Sequence, residues 1–191
     1  MVDHIHILGA SGSGTSTLGD ALARSFGYIH LDTDDYFWEP TTPPFQQTRE
    51  RQQRQALLGA ALDAHPRWVL SGSLCGWGDI FIPRFELVIF LSVPQAIRMA
   101  RLKEREERRF GQEALAPGGA MHDAHVAFMN WAAGYDKGGD DMRSRRRHEQ
   151  WLAALPCPCI RLEGLLTVEE QVIQLEKVLA GGEVGFNPGA I

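Results

Sequence analysis

A glycine-rich segment close to the N-terminus is the feature that most constrains how this chain can fold. Residues Gly9–Thr17 match the pattern G-x-x-x-x-G-K-[ST] at every fixed position except Thr15, which stands where lysine is expected. The apolar run Ile5–Leu8 precedes the segment, and residues with apolar side chains at helical spacing follow it as far as Gly27. The order is therefore strand, glycine loop and helix, in which backbone N–H groups and a helix N-terminus can bind phosphate.

Two other interpretations of the segment account for less of it. A dinucleotide-binding loop needs G-x-G-x-x-G, and the run Gly12–Thr17 lacks the last glycine. A turn without function does not explain three glycines with serine and threonine at a strand–helix junction. We therefore predict that nucleotide phosphates bind to Gly9, Ala10, Ser11, Gly12, Ser13, Gly14, Thr15, Ser16 and Thr17. The hydroxyl of Ser16 is placed to ligate Mg²⁺.

The rest of the chain alternates short apolar runs with segments of helical periodicity. Continuous apolar runs indicate strands that are buried on both faces of a parallel sheet. We predict further strands at 28–31, 68–70, 87–91 and 159–162, and helices at 48–64, 94–109, 122–135, 143–155 and 167–179. The predicted fold class is thus α/β, with one three-layer domain of five parallel strands over residues 1–181 and a flexible tail at 182–191.

Charge and hydropathy exclude several kinds of partner. The chain of 191 residues has 19 basic and 24 acidic side chains, a net charge of -5, which argues against a basic nucleic-acid-binding coat. No apolar run reaches the roughly 18 residues of a membrane span, and the N-terminus lacks a signal-peptide pattern, so we expect a cytoplasmic protein without a membrane partner. Only three of the basic residues are lysines, and none precedes Lys103. Any charge that compensates for Thr15 must therefore come from arginine and metal.

Carboxylates and aromatic rings follow the second predicted strand. The segment Asp32–Trp38 reads Asp-Thr-Asp-Asp-Tyr-Phe-Trp and lies at the same sheet edge as the glycine loop, where open α/β sheets bind ligands. Taken singly, each aspartate could equally form a turn or cap a helix. The aromatic side chains could stack on a planar acceptor or pack in the core.

Nine of the sixteen arginines lie in two short segments, 98–109 and 143–147. In the first segment Arg98, Arg101, Arg105 and Arg108 recur at spacings that share one helical face, and guanidinium groups bind phosphate well. The alternative is a solvated helix with Glu–Arg pairs. The second segment, Arg143–Arg147, could close over a triphosphate, begin a solvated helix or make a small nucleic-acid contact.

These motifs together resemble the adenylate-kinase-like branch of the P-loop small-molecule kinases, over residues from Ile5 to about Leu179. That superfamily includes nucleoside monophosphate, shikimate and gluconate kinases, and the loop with Thr15 is similar to that of some cytidylate kinases. The resemblance implies a P-loop fold with strand order 2-3-1-4-5 and a helical lid at about 98–120. It also implies ATP- and Mg²⁺-dependent phosphoryl transfer to a small acceptor, a nucleotide or nucleoside.

The same resemblance implies roles for individual residues. The run Asp32–Phe37 is similar to a stretch of nucleoside kinases in which an aspartate orients or deprotonates the acceptor hydroxyl. It therefore implies Asp34 or Asp35 as the base and Asp32, with Ser16, as the metal site. The arginines of segment 98–109 resemble the lid, so that Arg101, Arg105 and Arg108 would stabilise the transferred phosphoryl group.

One departure from the family pattern leaves other functions open. Ser71-Gly72-Ser73 stands near the end of the third strand, where monophosphate kinases often have an acid. Together with Thr15 this departure allows a nucleotide-binding regulatory protein without turnover. A nucleic-acid-associated P-loop protein is the third possibility.

Overall fold

A computed structural model of this protein describes residues 2–180. Five parallel strands lie in the order β2-β3-β1-β4-β5, which confirms the predicted fold class and strand order. The predicted tail at 182–191 lies outside the described residues. The strands are β1 (His4–Gly9), β2 (Ile29–Asp32), β3 (Trp68–Ser71), β4 (Leu87–Ser92) and β5 (Cys159–Glu163).

Helices cover both faces of this sheet. They are α1 (Thr15–Phe26), α2 (Thr33–Phe37), α3 (Arg51–Asp63), α4 (Gln95–Phe110), α5 (Gln112–Leu115), α6 (His122–Ala133), α7 (Arg145–Ala153) and α8 (Val168–Leu179), with 3-10 turns at Asp79–Arg84 and Gly134–Asp136. The predicted helices agree with α1, α3, α4, α6, α7 and α8 within a few residues at their ends. Neither the short helix α2 nor the turn Asp79–Arg84 was predicted. None of the helices within residues 2–180 combines the length and apolarity needed to cross a bilayer.

The core has two halves, one on each side of the sheet. Ile5 and Ile7 of β1 pack with Leu22 of α1 and Leu175 of α8 on one side. Leu8 of the same strand packs with residues of α3 and α7 on the other side. Strands β1, β3 and β4 are buried along nearly their whole length, which is why they read in the sequence as continuous apolar runs.

Helix α8 begins with a capping box between Thr167 and Glu170. The backbone N–H of Glu170 donates to the Thr167 hydroxyl at 3.2 Å, and the backbone N–H of Thr167 donates to the Glu170 carboxylate at 2.7 Å. This reciprocal capping box satisfies two backbone donors that the helix start leaves without partners.

Two histidines are fully buried in the half of the core that contains α7. His6 donates from Nδ1 to the carbonyl oxygen of Leu70 at 3.0 Å, and His148 bonds the Tyr135 hydroxyl at 2.9 Å. Burial lowers the pKa of His6 to about 4. Burial also lowers the pKa of His148 to about 3, and the nearby charge of Arg143 adds to this effect.

These buried histidines predict a specific acid sensitivity of folding. Below the ordinary histidine pKa of 6.5 the unfolded chain binds protons that the folded protein does not, so stability is full above pH 6.5 and falls as the pH decreases. We expect a loss of about 1.4 kcal/mol per pH unit for each histidine. Urea unfolding at pH 7 and at pH 5.5 measures this loss of stability. In a His148→Gln variant, the decrease in the free energy of unfolding between the two pH values should be about half as large. A native protein equally stable at both pH values would contradict the prediction.

Candidate functional site

The glycine loop connects β1 to α1 and is held tightly against its surroundings. Gly12 and Gly14 have φ angles of +80° and +98°, a conformation that favours glycine. A Cβ atom on Gly9 would stand 2.8 Å from the carbonyl oxygen of Leu91, and one on Gly12 would stand 2.7 Å from that of Arg98. The loop therefore needs these glycines, because neighbouring backbone from β4 and α4 fills the space that side chains would occupy.

The N-terminus of α1 has the features of an anion site. Gly14 is the N-cap residue of α1 and has no side chain that could accept a hydrogen bond. The cap therefore leaves the first backbone N–H groups of the helix available to a ligand. Within residues 2–180 the buried hydroxyl of Ser13 has no hydrogen-bond partner. Backbone donors, a helix N-terminus and an orphaned hydroxyl at one loop fit a phosphate group.

Ser16 and Asp32, the two predicted metal ligands, are in contact. The Ser16 hydroxyl donates to Oδ2 of Asp32 at 2.5 Å, and the Ser71 hydroxyl donates to the same oxygen at 2.9 Å. Oδ1 of Asp32 accepts the backbone N–H of Asp34 at 3.0 Å and so caps α2. Hydroxyl and carboxylate oxygens of this kind suit Mg²⁺. Over the described part of the chain, however, no three His, Cys, Asp or Glu side chains form a metal cluster, so phosphate and water would complete the shell.

A second layer of side chains supports Asp32. His30 lies with Nε2 2.9 Å from the Ser71 hydroxyl and with Nδ1 2.6 Å from Asp20. Sequence reasoning missed Ser71 and His30, since nothing in the local pattern shows that β2 and β3 place Asp32 opposite Ser71. Ser71 lies at the end of β3, where monophosphate kinases often have an acid. Its hydroxyl orients Asp32 at the end of the neighbouring strand β2.

The structure separates the two candidates for the base. Asp34 lines a cavity beside the glycine loop. Burial raises the pKa of Asp34, and the charge of Asp32 raises it further, whereas Arg143 and Arg105 oppose the shift. Burial and the charge of Asp32 also raise the pKa of Asp35, but the side chains that oppose this shift are His30 and Arg49. Of the two aspartates, Asp34 is therefore the one that lines the cavity together with Arg105 and Arg143.

The arginines of α4 do not share one environment. Arg101 Nη1 lies 3.9 Å from the point where a Cβ on Gly14 would stand, so its charge is beside the loop, and Arg105 lines the cavity. Arg108 is exposed and pairs with Glu104 at 2.9 Å, which is the solvated pair that the alternative interpretation predicted. Arg98 is buried, where it bonds the carbonyl oxygen of Val93 and Asp136. The four arginines therefore do not act at one place, because the buried side of α4 is formed by Arg98, Leu102 and Glu106, and Arg108 lies away from it in solvent.

Arg143 is a candidate site residue that the sequence indicated only as a member of the basic segment Arg143–Arg147. It precedes α7, lies half-buried with its guanidinium 5.3 Å from the Trp131 ring, and lines the cavity. Burial lowers its pKa and the charge of Asp34 raises it. Arg145 and Arg146 instead form surface ion pairs with acidic side chains at 3.9 and 3.3 Å.

The cavity has a volume of about 620 Å³ and opens beside the glycine loop. The loop contributes Ser11, and the other walls come from α2, the segment 38–48, α4 and α6. Its aromatic lining residues are Phe37, Trp38, Phe45, Phe110, Phe128 and Trp131. Its charged or titratable lining residues are Asp34, Arg105, Glu106, Arg109, His125 and Arg143. A volume of this size suits a small organic ligand with a few oriented polar groups.

The sheet order and the loop between β1 and α1 define the fold of the P-loop small-molecule kinases. Comparison with known families agrees, since the family model AAA_18, described as AAA domain, matches residues 5–115. The chain belongs to this AAA-domain family.

Individual relatives and solved structures extend the match to most of the chain. The chain is 46% identical over 172 residues to the uncharacterized protein YqaC of Bacillus subtilis (strain 168), covering 90% of this chain and 94% of that protein. A shikimate kinase structure from Bacteroides thetaiotaomicron is similar in fold at 18% identity, with a TM-score of 0.57 over 94% of this chain and 99% of that one. A gluconokinase structure from Sinorhizobium meliloti 1021 has 17% identity and a TM-score of 0.50, over 93% and 91% of the two chains. The predicted fold, that of the P-loop small-molecule kinases, is confirmed.

Proposed function

We propose that the protein transfers the γ-phosphoryl group of ATP, bound with Mg²⁺, to a small acceptor that is a nucleotide or nucleoside. The observation that carries this proposal is the meeting of the glycine loop with Asp34, Arg105 and Arg143 at one cavity. A phosphate site and an acceptor site with a base and two cations therefore share an opening.

The chain's own residues supply positioning and charge in this proposal. The loop and the N-terminus of α1 hold the phosphates, and Arg101 beside Gly14 provides a cation near the place of the missing lysine. Arg105 and Arg143 stabilise negative charge on the group in transfer, while Asp34 orients the acceptor and accepts its proton. Mg²⁺, held by Ser16 and Asp32, supplies charge neutralisation at the phosphate oxygens. Phosphoryl transfer depends mainly on such positioning and electrostatics.

The metal site predicts a loss of affinity that can be measured without turnover. Asp32→Asn and Ser16→Ala are each expected to weaken binding of Mn²⁺, in the presence of a non-hydrolysable ATP analogue, by about tenfold or more. The first change removes the negative charge of the carboxylate, and the second removes the hydroxyl oxygen. The electron paramagnetic resonance signal of free Mn²⁺ gives the affinity. Asp63→Asn is the matched control, because Asp63 at the end of α3 is exposed and forms an ion pair with Arg84. Unchanged Mn²⁺ affinity in both variants would refute the assignment.

A screen of acceptors tests the proposed reaction. Nucleosides, nucleoside monophosphates and small hydroxy acids are incubated with ATP labelled at the γ-phosphate, and labelled products are separated. We expect label in a nucleoside or nucleotide product. ATP binding without transfer to any acceptor would favour the regulatory nucleotide-binding protein, which the replacement of lysine by Thr15 also allows. The nucleic-acid alternative has less support, because Arg143 lines the cavity and Arg145 and Arg146 pair with acidic side chains.

A further inference from the structure

Glu106 is a nearly buried carboxylate in the wall of the cavity. Its side chain is 7% exposed, although α4 carries it among charged neighbours. The nearest cations are the guanidinium groups of Arg105 at 3.8 Å and Arg109 at 3.7 Å, and Nδ1 of His125 lies 3.9 Å away. These distances are longer than hydrogen bonds, so the charge is balanced while the oxygens lack hydrogen-bond donors among the described residues.

His125 faces the same carboxylate from α6. Its Nδ1 atom is buried and has no hydrogen-bond partner within residues 2–180. Buried polar groups are normally hydrogen-bonded, because leaving them without a partner is costly. Nδ1 of His125 and the adjacent Glu106 carboxylate, whose nearest basic side chains lie beyond hydrogen-bond distance, therefore indicate polar atoms in the cavity wall that a ligand would satisfy. The proposed mechanism uses neither of them.

The walls around this pair are aromatic. The rings of Phe128 and Trp131 lie 6.1 Å apart at 29°, and the rings of Trp38 and Phe45 lie 5.8 Å apart at 74°. The guanidinium of Arg109 lies 4.7 Å from the centre of the Phe45 ring. Aromatic and guanidinium surfaces of this kind favour a planar ring as occupant.

We infer that Glu106 and His125 recognise the exocyclic amino group of a purine or pyrimidine base that lies between these aromatic walls. This inference rests on the proposed function and specifies its acceptor. A carboxylate only accepts hydrogen bonds, so an amino N–H satisfies Glu106 whereas a keto oxygen in the same place would be repelled. Nδ1 of His125 bonds a neighbouring ring atom as donor or acceptor, according to its tautomer.

Matched pairs of nucleotides test this recognition on the unaltered protein. Cytidine and uridine 5′-monophosphates differ by an amino or keto group, as do the adenosine and inosine compounds, and the guanosine compound adds an amino group to inosine. Quenching of tryptophan fluorescence reports binding, since Trp38 and Trp131 line the cavity. We expect the amino member of at least one pair to bind about tenfold or more tightly than its partner.

Two isosteric variants assign the preference to Glu106. Glu106→Gln should reduce the preference to less than about threefold, because the amide can also donate a hydrogen bond to a keto oxygen. Glu104→Gln is the control, with the same change on the same helix at a side chain that is 73% exposed. It should keep the preference, and thermal unfolding of both variants checks that they fold. A preference that survives in Glu106→Gln would overturn the inference.

The remaining outcomes separate this inference from the proposed reaction. Equal affinity within every pair, or no binding of any of the five nucleotides, would overturn base recognition. Labelled phosphoryl transfer to shikimate or gluconate, with no transfer to a nucleotide, would overturn base recognition and leave phosphoryl transfer standing. Selective binding of amino bases without any phosphoryl transfer would support base recognition and overturn the proposed reaction.

Discussion

Replacing Asp34 with asparagine is expected to lower kcat by about a hundred- to ten-thousand-fold, the range typical of a lost general base. Asparagine keeps the shape of the side chain but cannot take a proton from the acceptor. ATP binding should change little, because the phosphates are held by the glycine loop and α1. Steady-state kinetics with the acceptor found in the screen, together with ATP affinity by calorimetry, measure both effects.

Asp35→Asn is the matched comparison for this variant. The two aspartates are adjacent, but Asp34 lines the cavity, while the basic side chains that act on Asp35 are His30 and Arg49. We expect Asp35→Asn to reduce kcat by less than about tenfold, below the range of a lost base. Equal losses in the two variants, or a larger loss for Asp35, would contradict the choice of Asp34.

The pH dependence gives a second readout for Asp34. Burial and Asp32 raise the pKa of this carboxyl, and a base works in its deprotonated form. Activity should therefore fall on the acid side with a midpoint above the ordinary aspartate value of 3.8. The Asp34→Asn variant should lose this limb from its residual activity, whereas a structural defect would lower activity at every pH.

Arg143→Gln is expected to lower kcat by about a hundred- to a thousand-fold, which is typical when one group that stabilises transition-state charge is removed. The guanidinium is half-buried, so its charge is less screened by water than that of a surface arginine. It also opposes the upward shift of the Asp34 pKa. Its loss should therefore raise that pKa and move the acid limb of the activity profile to higher pH.

Arg146→Gln is the control for Arg143, since Arg146 is 65% exposed and pairs with Asp140 on the surface. Its kcat and its pH profile should match those of the native protein. Arg143→Lys keeps the charge but loses the planar fork of donors, and we expect intermediate activity. Full activity in Arg143→Gln, or an unmoved acid limb, would remove Arg143 from the site.

The parts of the site that were predicted are those that depend on local chain pattern. The glycine loop and the strand order follow from residue spacing and from the resemblance that spacing supports. The contact of Ser16 with Asp32 was implied by the resemblance, and it forms because β1 and β2 end at one sheet edge on either side of β3. Sequence also left open whether an aspartate caps a helix, and Asp32 does this while its other oxygen meets Ser16 and Ser71.

The parts that were missed depend on contacts between distant segments. Helical spacing placed Arg98 and Arg108 on one face, but α4 buries the side that carries Arg98, Leu102 and Glu106, which leaves Arg108 in solvent. Arg143 reaches the cavity through the packing of the chain between α6 and α7, which no periodicity shows. Glu106 and His125 meet only because α4 packs against α6, and each alone resembles an ordinary helix residue.

A single-turnover experiment tests the central claim most directly. Protein in excess is mixed with Mg²⁺ and ATP labelled at the γ-phosphate, in the presence of a mixture of nucleosides and nucleoside monophosphates, and the label is followed over time. The proposed function predicts that the label passes to one acceptor as ADP forms, despite the absence of lysine from the loop. Recovery of the bound ATP unchanged, or release of all the label as inorganic phosphate, would contradict it.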